Sequence, residues 1–259
     1  MKKHYLVLLA LLLVLPGVLW AQDDAQTKSR FSVDFSAKVK SRHIWNGWLS
    51  CNAWNFQPNL TLSYGGAFFN AWSYTALSHT YPNEIDLTLG YNFGPVTLTY
   101  VDVFYPKEAK TGVVKQLGSA SYMGLFRYKK EDMGAYHQQM FMAKFNGVES
   151  FPLQVLAGVF TFGDGTVDEK TGKVEERFST IIDLGYSHNL STGQKLSYNL
   201  SCTPFKGSGF FADGFAVVNA RFGVTQPVKI TDSFSLKLDG DLIVNPYREN
   251  LYFVLGIGF

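Results

Sequence analysis

The sequence predicts an all-β chain folded as a closed, antiparallel, up-and-down transmembrane β-barrel of about 12 strands, with 10 and 14 as the neighbouring counts. Three observations predict it. Apolar and polar residues alternate with a period of two over runs of about ten residues, the length that crosses a bilayer at a tilt. The polar set of these runs carries charge, and the apolar set carries almost none. The chain also ends on an apolar strand, "LYFVLGIGF", whose last residue is Phe259; a chain end in water is ordinarily polar and frayed.

Residues 1–21, "MKKHYLVLLALLLVLPGVLWA", have the layout of a secretory signal peptide: two lysines, an apolar run, Pro16, and Ala21 before Gln22. The apolar run from Tyr5 to Leu15 is shorter than the ~20 residues of a spanning helix. The expected division is a signal peptide at 1–21, a short polar leader at 22–30 and a single barrel domain at 31–259.

Strand evidence begins at residue 31. In "FSVDFSAKVK", Phe31, Val33, Phe35, Ala37 and Val39 alternate without fault with Ser32, Asp34, Ser36, Lys38 and Lys40. The same pattern recurs around 60–64, 85–93, 178–186, 196–200, 234–244 and 251–259. Weaker alternation marks 96–105, 119–128, 138–145, 153–162 and 216–225, and the run at 96–105 loses phase at Asp102. Turn residues separate the runs at "NFGP", "NGVES", "GDGTVDEKTGK", "NLSTG" and "NPYREN". This reading makes 71–83 and 106–118 loops. Long and short connections then fail to alternate in the first half of the chain, as they should in an outer-membrane barrel.

Composition narrows the class. Loss of Lys2 and Lys3 with the signal peptide leaves 21 basic and 21 acidic residues, a net charge of zero. Nucleic acid is therefore not an expected partner, since it calls for a basic surface. Charged residues make up 17% of the chain, below the ~25% of soluble domains. Phe and Tyr, both strand formers, are abundant. A soluble β-sandwich could show the same alternation, but its strands cluster near five or six residues and about 12 long strands would leave exposed edges. In a membrane the sheet must close, because no backbone group can stay unpaired there.

In these respects the chain resembles bacterial outer-membrane β-barrel proteins. In that class a terminal strand with alternate apolar residues and a final aromatic is the signal read by the barrel-assembly machinery. Leu251, Phe253, Leu255, Ile257 and Phe259 fit that pattern, and the resemblance implies the outer membrane of a Gram-negative bacterium, with its lipid and assembly machinery as partners. A narrower resemblance covers about a quarter of the chain, between Ser41 and Pro106. There "SRHIWNGW", "QPNLTL", "NEIDLTLGYNFG" and "VFYP" resemble segments of the Gcw-type family of uncharacterised Gram-negative outer-membrane proteins. That family favours Arg before the first glycine, where this chain has Asn46. The resemblance implies location and no chemistry.

Candidate functional residues fall in two groups. The inward charges Asp34, Lys38, Lys40, Asp86, Asp183, Lys237, Asp239 and Asp241 are expected to line the lumen, either as an aqueous path or as a salt-bridged filling. His43, Trp45, Trp48 and Trp54 cluster in the first loop. They read either as a stacking surface for a planar ligand or, by preference, as part of the interfacial aromatic belt. No cofactor, metal site or catalytic set is expected. The histidines of the mature chain (His43, His79, His137, His188) lack metal-ligand spacing, and Ser187 and His188 are neighbours on opposite faces of a strand. Cys51 and Cys202 belong to distant parts of the wall and are expected to be free thiols. The sequence thus predicts a non-enzymatic outer-membrane barrel, a small pore for small polar solutes. The alternatives are a non-conducting barrel that binds through its loops and a lipid-modifying enzyme.

Overall fold

A computed structural model describes residues 30–78, 83–106, 125–126, 128, 137–168, 171–205, 209–232 and 234–259. The expected signal peptide, most of the leader and His79 lie outside these residues. The strands are β1 (Phe31–Lys40), β2 (His43–Trp45), β3 (Trp48–Cys51), β4 (Asn55–Tyr64), β5 (Ala67–Ala76), β6 (Glu84–Phe93), β7 (Val96–Phe104) and β8 (His137–Phe145). They continue as β9 (Gln154–Phe162), β10 (Thr166–Val167), β11 (Val174–Glu175), β12 (Thr180–Asn189), β13 (Lys195–Thr203), β14 (Ala216–Lys229), β15 (Ser235–Asn245) and β16 (Asn250–Gly258). Twelve of them, β1, β4–β9 and β12–β16, form a closed antiparallel barrel in chain order, with β16 returning to β1. The pairs β2–β3 and β10–β11 are separate hairpins.

Two expectations are corrected, and their errors cancel in the strand count. Residues 67–76 form a full strand, β5, where the sequence predicts a loop from residue 71. Its "AFFNAWSYTA" hides the period because Phe68, Trp72 and Tyr74 point inward while Phe69 points outward, as their ladder partners require. Of the strand expected at 119–128, the described Leu125 and Phe126 lie in a turn, and most of the remainder lies outside the described residues. With β5 in place the connections alternate. Tight links at 65–66, 94–95, 146–153, 190–194 and 230–234 share one rim with the start of β1 and the end of β16, and the longer connections share the other. The exceptions are the connection at 77–83, shorter than the link at 146–153, and the turn at 246–249. The phase loss at Asp102 is no bulge, for β7 pairs without interruption with β6 and β8. Asp102 points outward and is bound there by Tyr128 (2.5 Å) and His137 (2.9 Å), while Val101 and Val103 point inward.

The outer wall is apolar. Val33, Phe35, Leu60, Leu89, Leu200, Leu242 and Phe253 are all exposed on it. Exposed aromatics ring both rims: Tyr64, Tyr91, Phe93, Phe151 and Phe234 at the tight-turn end, and Trp54, Phe178, Phe205, Phe215 and Tyr247 at the other. Cys202 is on this outer face and Cys51 is fully buried inside; both are free.

The seam between β1 and β16 is the shortest of the ladder, with three paired residues against ten between β1 and β4. It is extended at both ends. Ala37 and Phe259 exchange backbone hydrogen bonds of 2.9 and 3.0 Å. Ser41 N–H donates to the Leu255 carbonyl at 2.9 Å, Leu255 N–H donates to Ser41 Oγ at 2.9 Å, and the Arg42 guanidinium donates to the Phe253 carbonyl at 2.9 Å. These side chains satisfy edge groups that would otherwise be orphaned.

Two glycines complete the closure. Gly256 and Gly258 occupy inward positions of β16, opposite Lys40 and Lys38 on one side and Asp239 and Lys237 on the other. With no side chains between them, Lys38 reaches over β16 to Asp239 (2.9 Å) and Lys40 to Asp241 (3.7 Å). A Cβ at Gly256 would lie 3.3 Å from Asp239 Cβ and 3.5 Å from Lys40 Cγ, so a branched side chain there would push both apart. Gly256→Val is expected to cost about 1–3 kcal/mol, as over-packing does, and to lower the urea midpoint of the refolded barrel. An unchanged midpoint would show that the seam does not depend on this gap. Reduction is expected to leave the intact mass unchanged, as two free thiols require.

Candidate functional site

Antiparallel partners share a face of the sheet, so the register places the whole inner wall. Asp34, Lys38 and Lys40 are inward on β1, Asp86 on β6, Asp183 on β12, and Lys237, Asp239 and Asp241 on β15. The structure brings four of these eight together. Asp241, 2% exposed, accepts from Arg221 Nε (3.0 Å) and Nη2 (2.6 Å) through Oδ1, with Lys40 beside Oδ2. Asp239 accepts from Thr225 (2.7 Å) and Lys38 (2.9 Å). The Lys38 side chain is half exposed, so its pair is screened and worth little. The Asp241 node, shielded from solvent, is the stronger. Asp34 and Lys237 are exposed to the lumen away from this network, and Asp86 and Asp183 lie elsewhere on the wall. Arg221 was missed by the sequence reading because β14 alternates weakly.

The first loop does not sit in the interfacial belt. The hairpin β2–β3 folds into the barrel, and this corrects the preferred reading of His43, Trp45 and Trp48. Asn46 and Gly47 have φ of 46° and 75°, as a two-residue hairpin turn requires at both central positions. Asn in place of the Arg of the Gcw-type pattern suits this geometry, because Asn tolerates the left-handed region. The tip lies against β14 and β15: a Cβ at Gly47 would come within 1.9 Å of the Val218 carbonyl, and the Asn245 amide donates to the Gly47 carbonyl at 3.1 Å. Only glycine fits there. Trp45 packs edge-on to Phe160 (6.1 Å between centroids) and against Phe210 and Phe211. Those two come from the described segment 209–215, which packs inward there and is held by the Phe210 N–H to Ser179 Oγ bond (2.9 Å). Trp48 lies under the Arg248 guanidinium at 4.4 Å. Trp54 alone of the expected cluster is on the outside, 47% exposed at the rim.

His43 contacts Trp72 and Tyr74 at about 5 Å between ring centroids. Its Nδ1 faces the Gln57 amide at 3.3 Å, and that amide also donates to Asn55 Oδ1 at 2.7 Å. Nδ1 therefore acts as the acceptor of a neutral ring. Burial, and secondarily the charge of Lys40, pushes the His43 pKa from 6.5 down to about 3.

Between the hairpin and the β4–β9 wall is a cavity of about 370 Å³. His43, Trp45, Trp48, Ser50 and Phe210 line it from the hairpin and the 209–215 segment, and the inward residues Asn59, Asn70, Trp72, Glu84, Asp86, Thr88, Tyr105 and Gln138 line it from the wall, with Val101, Val103, Met140, Met142 and Phe160 as its apolar part. The Tyr105 hydroxyl is hydrogen-bonded to Glu84. Of these residues the sequence reading had found the hairpin aromatics and Asp86. It missed Trp72 with β5 as a whole, and Glu84 because it precedes the alternating run. Among the described residues no group of His, Cys, Asp and Glu is arranged to hold a metal ion. Ser187 points inward and His188 outward, so they do not meet.

No protein-family model matches the chain, and no curated protein matches it, so the Gcw-type resemblance gains no support. Among solved structures the chain is similar to one described as a NanC porin, with 10% identity and a TM-score of 0.43, over 87% of this chain and 98% of that one. At that distance the likeness bears on neither the details of the fold nor the function.

Docking of the hairpin is expected to depend on pH. The neutral His43 contributes fully above the ordinary imidazole value of 6.5; as pH falls from there toward 3, the undocked chain takes up the proton first and the docked state loses its advantage. Tryptophan emission of the refolded protein should shift to the red between pH 7 and 4. His43→Phe should abolish most of that shift; an equal shift in the variant would locate the titrating group elsewhere.

Proposed function

We propose that this chain is an outer-membrane β-barrel pore of narrow bore, passing small polar solutes past an in-folded aromatic hairpin, in a Gram-negative envelope. The observation that carries the reading is the inversion of the wall. Large apolar side chains are exposed on the outside, and Lys38, Lys40, Arg221, Asp239 and Asp241 lie on the inside. A contiguous apolar surface of this extent needs lipid to cover it. Closure of the sheet removes the unpaired edge that lipid would not tolerate. Leu251, Phe253, Leu255, Ile257 and Phe259 are exposed on one face of β16, which favours the assembly-signal reading of that strand. The charged inner wall is half open to solvent at Lys38, as a conduit for polar solutes needs.

A second reading, a non-conducting barrel that binds a ligand, is favoured by the packing of Trp45 against Phe160, Phe210 and Phe211 across the bore. Single-channel recording in a planar bilayer decides between them. The refolded protein should give small, repeatable steps, and replacing residues 43–51 by a short Gly-Ser link should enlarge them several-fold. Substitutions at Asp34, Lys38 and Asp241 should alter ion preference. If neither the parent nor the loop replacement conducts, the pore reading fails and the binding reading stands.

A further inference from the structure

We infer that the lumenal cavity beside the hairpin is a binding site for a small organic cation, a primary or quaternary ammonium. This deepens the function proposed above and rests on it in one respect, that the lumen is reachable from solvent. The cavity has two carboxylates among its lining residues, Glu84 and Asp86, and neither Lys nor Arg. The lysines and the arginine of the lumen that form ion pairs are bound to Asp239 and Asp241 on the other side of the barrel. The carboxylates are two residues apart on β6, so both point inward. Glu84 is held by Tyr105. Asp86 Oδ1 is buried and has no hydrogen-bond partner, an acceptor waiting for a donor. Directly opposite Asp86 in the ladder is Trp72, and Trp45 also lines the cavity from the hairpin, whereas the Trp48 ring already carries the Arg248 guanidinium. Aromatic faces beside a carboxylate, away from bulk water, are the surroundings in which an ammonium group gains most.

The Asn70 amide is not available to a neutral sugar. Asn70 spends its amide donor on Asn59 Oδ1 (2.8 Å), Thr61 Oγ1 (2.8 Å) and the Leu60 carbonyl (3.2 Å). The two lining carboxylates and the aromatic rings suit a cation and disfavour an anion. The volume, about 370 Å³, is at the lower end of ligand pockets, about 300–1,000 Å³, and admits a molecule of the size of choline.

The test uses the refolded full chain carrying Trp20→Phe and Trp54→Phe, so that emission reports Trp45, Trp48 and Trp72. Choline is titrated against sodium chloride at equal ionic strength, with glucose and acetate as the neutral and anionic probes. Choline should give a saturable change, weakened at least tenfold by Asp86→Asn and by Glu84→Gln, each verified as folded by heat-modifiable migration. A response to glucose or acetate with choline silent overturns the inference, as does a choline response unchanged in both variants. Acrylamide separates the two failures. If it quenches these tryptophans while choline does nothing, the cation site is wrong and the open lumen survives. If it cannot reach them, the lumen is sealed and both readings fall.

Discussion

Closure of the barrel is the constraint on which everything else depends, and it is met at the narrowest point of the hydrogen-bond ladder. β1 and β16 share three paired residues. What holds them is an inner layer that ignores strand order: Lys38 and Lys40 skip over β16 to carboxylates on β15. The skip is allowed because Gly256 and Gly258 leave the surface of β16 bare. Side-chain electrostatics thus takes over where backbone pairing is thin, and Ser41 and Arg42 do the same for the carbonyls and amides just beyond the paired segment. The alternation "LGIGF" serves both faces at once, large residues outward and none inward.

How much of this was legible in the sequence follows from which faces are apolar. β1, β6, β12, β15 and β16 have one apolar and one polar face, and period two reveals them directly. β5, β7, β8 and β9 face the in-folded hairpin, so Phe68, Trp72, Val101, Val103, Met140 and Phe160 are apolar inward residues on strands that are also apolar outward. Periodicity fades there because both sides are covered, one by hairpin and one by the surroundings of the barrel. Asp102 compounds this, an outward acid whose two oxygens are taken by Tyr128 and His137.

The eight inward charges could be placed on a face from sequence, but their grouping could not. Asp241 gathers Arg221 and Lys40 from two other strands, and that convergence is a product of barrel tilt and stagger. Likewise "HIWNGW" carries a legible hairpin turn in Asn46-Gly47. Its docking inside the barrel depends on Val218 and Asn245, some 170 to 200 residues later in the chain by the numbering of those positions and contiguous only once the sheet has closed. Trp in a loop next to a membrane strand ordinarily reads as interfacial; here β14, β15 and the aromatic pair Phe210 and Phe211 offered a drier place.

The hairpin leaves the wall at the end of β1 and its tip is held by β15 and β14, two and three strands further round. It is therefore a chord across a circle. A chord divides a bore into two unequal lanes, and here the lanes differ in character. The narrow one is walled by the Lys–Asp–Arg ladder of β1, β15 and β14. The wide one holds the aromatic and acidic pocket against β4 to β9. On the pore reading proposed above, a solute entering such a barrel would meet the strut first and be sorted by charge there, before any site had bound it.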